Sequence, residues 1–319
     1  MKPLVIYHAN CTDGFGAAFA AWAVLGDDAE YVPCHYGDGN FTNPQDIRDR
    51  VDGRTVYILD FSLPRPAMDQ MFADAGKVVW LDHHKTAFEM MDDWNGGPTY
   101  YIERPNVTAT LNNGKSGALL AWEYFHPDTP APDLIRMIDD RDRWQFKLPS
   151  SRALHAGLQL SRPWTFESWA ALLKYEKLFA EFVDQGDLVL QVYDEQIKSA
   201  VKRAEGCSLV PPIIDAADSY KAPWVWWVDP EFGDTCGARG LAVNSAIHQS
   251  EIGHELAIAS GTYGLVWYYD AATRRANCSL RSNGDYDVSA IAKAFGGGGH
   301  KNAAGFNTDM WSLLDWLGG

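Results

Sequence analysis

Three short apolar runs near the start of this chain each stop at an acid or an imidazole, and no other feature so restricts the folds open to it. Val78-Val79-Trp80-Leu81 leads into Asp82-His83-His84, Leu4-Val5-Ile6-Tyr7 into His8 and then Asn10-Cys11-Thr12-Asp13-Gly14, and Thr55-Val56-Tyr57-Ile58-Leu59 into Asp60. Uninterrupted apolar runs of this length read as strands buried on both faces, the habit of a parallel sheet. Residues just past the ends of such strands lie at the carboxyl edge of the sheet, where ligands bind. An acid and two imidazoles buried there without partners cost on the order of several kcal/mol, so a metal or a phosphate is the expected companion. A lone Asp after a strand is ordinarily a turn former or a helix cap. Three such ends together, one of them Asp-His-His, make a metal site the better reading. Oxygen donors mixed with imidazole suit Mn²⁺ or Mg²⁺ better than a thiolate-type zinc site.

At 319 residues the chain is too long for most single cores and predicts two domains. Thirteen Trp are enough to offer stacking faces to nucleobases, although most are expected in cores. A net charge of −15 excludes a large basic surface for duplex nucleic acid, but not a small phosphorylated substrate held by metals and a few cations. The five Cys (11, 34, 207, 236 and 278) form no CxxC pair, which fits a reducing compartment without disulfides or structural zinc. The N-terminus lacks a signal-peptide pattern, and no run approaches the roughly 18 apolar residues of a membrane span. A soluble cytoplasmic protein is expected.

The pattern predicts an α/β chain in three parts: a parallel-sheet α/β domain over 1–155, a helical connector over 156–205, and a smaller mixed-sheet α/β domain over 206–319. In the first, Phe15 to Leu25 is an Ala-rich crossover helix whose start faces the His8–Asp13 loop, and Pro64 and Pro66 open the helix after Asp60. Lys115-Ser116-Gly117, before the apolar helix Ala118 to Phe125, is either a phosphate-contacting loop or an ordinary helix start. Asp139, Asp140 and Asp142 come next in an acid–Arg run, where Asp140 is a candidate fourth acidic ligand that the local pattern does not select over its neighbours. In the connector, helical spacing runs from Thr165 to about Arg203, with a break or bend expected at Gly186. Trp224 to Val228 and Tyr263 to Tyr269 read as strands of the last domain. Trp224 and Trp226 would share one face of the first of these, with Trp227 on the other.

A second constellation closes the chain: Gly296-Gly297-Gly298-Gly299-His300-Lys301-Asn302-Ala303-Ala304-Gly305. Four consecutive Gly let backbone N–H groups approach an anion, with His300 and Lys301 supplying charge beside them. Arg281 ends a strand-like run and suits a bidentate phosphate clamp. The run is not a nucleotide P-loop, since no Gly-Lys-Ser/Thr closes it.

Together these residues resemble the DHH phosphoesterase family, in the branch with a DHH-associated C-terminal domain, over essentially the whole chain. Asp82-His83-His84 is similar to the family's namesake motif, the His8 to Gly14 run to its first, Asp60 to its second and Asp140 to its fourth. The Gly296–Gly305 run is similar to the signature of the C-terminal substrate domain. The resemblance implies two divalent ions, usually Mn²⁺, with Mg²⁺ or Co²⁺ as substitutes. One would sit on Asp13, Asp60, His83 and Asp140, the other on His8 and the bridging Asp60. It also implies that His84 contacts the scissile phosphate, and that Arg281, His300 and the Gly297-Gly298-Gly299 backbone hold the substrate. Cys11 stands where many members carry an Asp for the His8 metal. With Asp82, it completes the candidate set. A thiol there weakens that site for Mn²⁺ unless it ionises.

The expected function is a Mn²⁺-dependent phosphodiesterase that hydrolyses short oligonucleotides to mononucleotides, as oligoribonuclease (nano-RNase) members do. Two ions about 3.5–4 Å apart would activate water for in-line attack, and His84 and Arg281 would stabilise charge on the phosphate. Hydrolysis of cyclic or linear dinucleotides, or dephosphorylation of adenosine 3′,5′-bisphosphate, are alternatives with the same chemistry. A nucleotide sensor with a weakened metal site is the non-enzymatic alternative. A long duplex and a membrane are not expected as partners.

Overall fold

The computed structural model describes residues 1–35, 39–209, 239–284 and 286–317. Trp224 to Val228, expected as a strand, lie outside the described residues. The chain divides into two compact units, Met1–Leu190 and Gln191–Gly319. Each is α/β, built on its own six-stranded sheet. No helix among the described residues is long and apolar enough to cross a membrane.

The first unit runs β1 (Leu4–His8), α1 (Thr12–Leu25), β2 (Glu30–Cys34), α2 (Pro44–Val51), β3 (Thr55–Leu59), α3 (Arg65–Asp74), β4 (Lys77–Asp82), α4 (Lys85–Glu89), β5 (Thr99–Arg104), β6 (Val107–Asn112), α5 (Gly117–Phe125), α6 (Asp133–Asp142), α7 (Ser151–Leu160), α8 (Phe166–Lys174) and α9 (Glu176–Val201). Its strand order is β2-β1-β3-β4-β6-β5. All pairings are parallel except β5 with β6. β1 leads to β2 on one side while β3 pairs on the other, so the order reverses beside β1. A doubly wound sheet opens its ligand crevice at such a point.

Buried β-branched and aromatic residues make the inner strands. Leu4, Ile6, Val56, Ile58, Val78 and Trp80 point into one core, and Val5, Leu59, Val79 and Leu81 into the core on the other face. That alternation, apolar on both sides, is what a fully covered parallel sheet requires. Ser116 and Thr165 cap α5 and α8, the latter as a capping box with Ser168.

Two local expectations change. The first crossover helix starts at Thr12 rather than Phe15, so Asp13 lies inside its first turn. α9 passes straight through Gly186, where the sequence predicts a break. A Cβ at Gly186 would lie 2.1 Å from the carbonyl oxygen of Ala153 on α7. This glycine serves close helix packing, not a bend.

The second unit holds the end of α9, then β7 (Glu205–Ser208), β8 (Arg239–Asn244), α10 (Gln249–Ser260), β9 (Tyr263–Asp270), β10 (Arg275–Ser282), α11 (Val288–Ala294), β11 (Gly298–His300), β12 (Ala303–Thr308) and α12 (Met310–Trp316). The sheet order is β11-β12-β10-β9-β8-β7, with only β8 and β9 parallel, joined through α10. Alternate residues of β10, Ala276, Cys278 and Leu280, enter a core shared with Val288, Ile291 and Leu313. α10 packs on the other face through Ile252 and Leu256 against Val243 and Val266. The Gly296–Gly305 run forms β11 and its turn into β12.

Candidate metal centre

The crevice beside β1 is where the acids and imidazoles meet. β1 ends on His8, and Asp60 comes directly after β3 with a left-handed backbone (φ 52°). Such a backbone is uncommon for an Asp and is held only where the surroundings fix it. His8 Nδ1 lies 3.5 Å from Asp60 Oδ2. His83, just past β4, places Nε2 3.1 Å from Asp60 Oδ1, 3.5 Å from Asp13 Oδ2 and 3.7 Å from Asp142 Oδ2. Donor atoms of Asp13, His83 and Asp142 form one cluster of metal-binding size, and those of His8, Cys11 and Asp60 a second. Asp60 and His83 also group with His84.

Each ligand is aimed by its neighbours. Asp13, fully buried, accepts backbone N–H bonds from Gly117 (2.7 Å) and Ala118 (2.8 Å) at the start of α5. Gly117 also makes room for Asp60, because a Cβ there would stand 2.3 Å from the Asp60 Cβ. Neither Asp60 oxygen, both buried, receives a well-formed hydrogen bond among the described residues. They face imidazoles instead.

Asp82 faces elsewhere. Its Oδ1 accepts from the backbone N–H of His83 (2.7 Å) and of His84 (3.1 Å) and from His84 Nδ1 (2.7 Å). Its Oδ2 accepts from the Ser62 hydroxyl. Asp82 therefore orients His84, in the manner of the acids that hold catalytic and metal-binding imidazoles, and is not in the metal-sized groups.

The α6 acid that the structure brings to His83 is Asp142, whereas Asp140 is turned toward the start of α7. Asp140 accepts N–H bonds from Lys147 (2.8 Å) and Leu148 (3.1 Å) and a hydroxyl bond from Ser151 (2.6 Å), which fixes the turn into α7. Residues two apart on a helix point about 200° away from each other, so only one of the two can reach His83. Asp139 accepts from Ser116 N–H (2.7 Å). Lys115 and Ser116 likewise leave the phosphate-contact reading: Lys115 pairs with Glu123 at 2.6 Å, and buried Ser116 caps α5.

The electrostatics are those of a cation site. Asp13 is pushed well above the carboxylate range, first by burial and then by Asp60 and Asp142. Burial also raises Asp60, but the facing imidazoles of His8, His83 and His84 more than reverse it, and its pKa is lowered. His83 is raised well above an ordinary imidazole by Asp60, Asp142 and Asp13, against burial. His84 is raised by Asp82, also against burial. The Cys11 thiol is pushed well up by burial and by the same three carboxylates. Buried Asp13 and Asp60 and the partly exposed Asp142 crowd one imidazole and repel each other, and a divalent ion would remove that repulsion.

In the second unit, Arg281 and His300 both stand in register with Ala303, one on each side. Arg281 donates to Ser250 Oγ (2.7 Å) and to Leu280 O (2.8 Å), and its stem packs on Gly253. A Cβ at Gly299 (φ 143°) would come 2.5 Å from the Ala303 carbonyl oxygen, so the glycines also allow β11 to fold onto β12. Asp142, Gly117 and Ser62 were not visible as site residues from sequence. Asp142 had a signal, being one of three acids in the right helix, but no local rule ranks them.

Residues 245–315 match the DHHA1 domain. The chain is 28% identical over 312 residues to the uncharacterized protein R106 of Acanthamoeba polyphaga mimivirus, covering 95% of this chain and 66% of that protein. It is 22% identical over 316 residues to the oligoribonuclease NrnB of Bacillus subtilis, covering 94% of this chain and 71% of that one. The chain thus spans about two thirds of the length of these relatives. Among solved structures it is similar to the pGpG-specific phosphodiesterase PggH of Vibrio cholerae (TM-score 0.46, 13% identity, 99% of this chain and 96% of that one). It is also similar to RecJ of Thermus thermophilus in complex with Mn²⁺ (TM-score 0.48, 13% identity, 98% of this chain and 50% of that one). With Asp-His-His closing a central parallel strand and a DHHA1 domain match over residues 245–315, the chain is similar to the DHH phosphoesterases.

Proposed function

We propose that this protein is a metal-dependent phosphodiesterase that hydrolyses short oligonucleotides to mononucleotides. The observation that carries the reading is the convergence of Asp13, Asp60 and Asp142 on His83, with His8 beside them. Asp13, Asp60, His83 and Asp142 would hold one divalent ion, and His8, Asp60 and Cys11 the other, with Mn²⁺ the best match to the donors. Such ions supply Lewis-acid charge and lower the pKa of water. The chain's own contribution is orientation. Asp82, itself held by the Ser62 hydroxyl, orients the His84 ring and raises its pKa, and we assign this imidazole as a donor to a phosphate oxygen. Asp60, in its left-handed backbone, presents one oxygen to each imidazole. Arg281, His300 and the Gly297-Gly298-Gly299 backbone are the proposed substrate-holding groups of the second unit. The name of the relative NrnB, an oligoribonuclease, supports the substrate class, and the net charge of −15 supports a short ligand over a long duplex.

The test is product analysis after incubation with a 5′-phosphorylated diribonucleotide, a long single-stranded RNA, a cyclic dinucleotide and adenosine 3′,5′-bisphosphate, each over a Mn²⁺ titration. Fast Mn²⁺-dependent cleavage of the diribonucleotide, absent in His83→Ala, is expected. Turnover of only the bisphosphate or the cyclic compound would replace the substrate. No turnover at any Mn²⁺ concentration would remove the enzyme reading.

A further inference from the structure

The sheet of the second unit has a face that α10 covers at one end only. Along β10, Arg275, Asn277, Ser279 and Arg281 alternate with the core residues and so share this face. At the Arg281 end α10 lies close, with Gly253 against the arginine stem. Toward Arg275 an open cleft of about 670 Å³ forms.

The floor of the cleft is suited to a flat ring. Gly305 pairs with Ser279 on one side and with Gly298 on the other, so one row across three strands carries almost no side-chain bulk. In the next row Asn307, Asn277 and Tyr268 stand in register. Tyr268 and Phe295 add aromatic surface to the lining. A planar heterocycle laid on a glycine strip, beside amides and a phenol ring, has stacking and edge contacts at once.

The edge contacts are dominated by donors. Gln249, at the start of α10, lines the cleft, and its Oε1 accepts from Ser279 Oγ at 3.3 Å. Its Nε2 is buried and has no hydrogen-bond partner among the described residues. A buried donor left unmet costs stability, and only an acceptor can satisfy this N–H. Arg275 extends a guanidinium into the same cleft and spends one nitrogen on Asn307 O (2.8 Å).

We infer that this cleft seats a nucleobase of the substrate, with Asn277 beside it, and that the donor-only Arg275 guanidinium and the unmet Gln249 N–H favour the acceptor edge of guanine over adenine and cytosine. Guanine presents O6 and N7 side by side as acceptors, whereas adenine and cytosine each place an amino donor on the corresponding edge. The inference rests on the proposed function for its substrate class, but its geometry lies wholly within the second unit.

The experiment uses the full chain in two arms. In the first, GMP, AMP, UMP and CMP are titrated calorimetrically in the presence of chelator, with Gln249→Met and Asn277→Ala beside the wild type and thermal melts to confirm folding. GMP is expected to bind roughly tenfold more tightly than AMP or CMP, and each variant to lose roughly tenfold for GMP, the scale of one lost hydrogen bond. Equal binding of all four, or unchanged GMP binding in both folded variants, overturns the inference. In the second arm, 5′-phosphorylated dinucleotides differing in base are cleaved with Mn²⁺. Cleavage without base preference, and unaffected by either variant, sinks the base pocket and leaves the phosphodiesterase reading standing. Selective GMP binding with no cleavage of any dinucleotide supports the pocket and removes the phosphodiesterase reading.

Discussion

Asp60 and Gly117 stand so close that a methyl group on the glycine would lie 2.6 Å from a carboxylate oxygen of the aspartate. The start of α5 is therefore a wall of the centre, and its smoothness is a condition for the bridging acid. Gly117→Ala is expected to displace Asp60 and cut metal-dependent cleavage by about 100-fold or more, the usual consequence of misplacing a reacting constellation by an ångström. Steady-state rates at saturating Mn²⁺, with circular dichroism to show a retained fold, check it. Wild-type rates would show that Asp60 does not need this wall.

The acids of α6 separate by phenotype. Asp142→Asn is expected to raise the melting temperature without metal, since it removes one of three crowded carboxylates, and to lower metal affinity or activity by at least about 100-fold. Asp140→Ala is expected to do the opposite. It strips the acceptor from Lys147 N–H, Leu148 N–H and Ser151 Oγ, costing about 2 kcal/mol or more of stability while the folded fraction keeps its metal. Melting curves with and without Mn²⁺ distinguish the two. If Asp140→Ala rather than Asp142→Asn abolished metal binding, the assignment would reverse.

Asp82 acts through His84. Asp82→Asn is expected to lower kcat about 10- to 100-fold with little change in KM or in Mn²⁺ affinity, because the ring loses its carboxylate partner but the proposed metal ligands stay. It should also move the basic limb of the kcat profile to lower pH, since the Asp82 charge raises the His84 pKa. An unshifted limb would take His84 out of that role.

His155 supplies a pH dependence of stability. Its pKa is held well below 6.5, first by burial and then by the charges of Arg141 and Arg162. The unfolded chain therefore takes up this proton before the native state does. Stability is intact above about pH 6.5 and falls below it, by at most about 1.4 kcal/mol per pH unit for this one group. Urea melts of wild type and His155→Gln between pH 5 and 8 should diverge only below about 6.5, with the variant flatter. Parallel curves would contradict this.

Much of the first unit was legible because a covered parallel sheet writes itself as apolar runs, and the acids ending those runs fell where sheet topology puts ligands. His8, Asp13, Asp60 and His83, singled out this way, do converge in the structure. The choice among Asp139, Asp140 and Asp142 was not legible. It depends on which helix face turns inward, and three acids in four positions leave no apolar stripe between them to tell. Gly186 misled for a related reason: a glycine in a helix signals a break only if nothing packs on it, and here α7 does. Gln249 carried no signal at all, since what marks it is a buried N–H left unmet where its amide meets Ser279, a residue thirty positions away.

Asp13 takes its two backbone bonds from residues 104 and 105 positions further along the chain. Consequently no early fragment of the protein can assemble the centre. A chain emerging from the ribosome presents His8, Asp13, Asp60 and His83 long before α5 and α6 arrive to bring Gly117 and Asp142 to them. Until then those ligands are scattered, and a divalent ion has no pocket to enter. With the proposed ligands, loading would be a late event in the life of each molecule, and ion uptake would report completion of the first unit rather than guide its assembly.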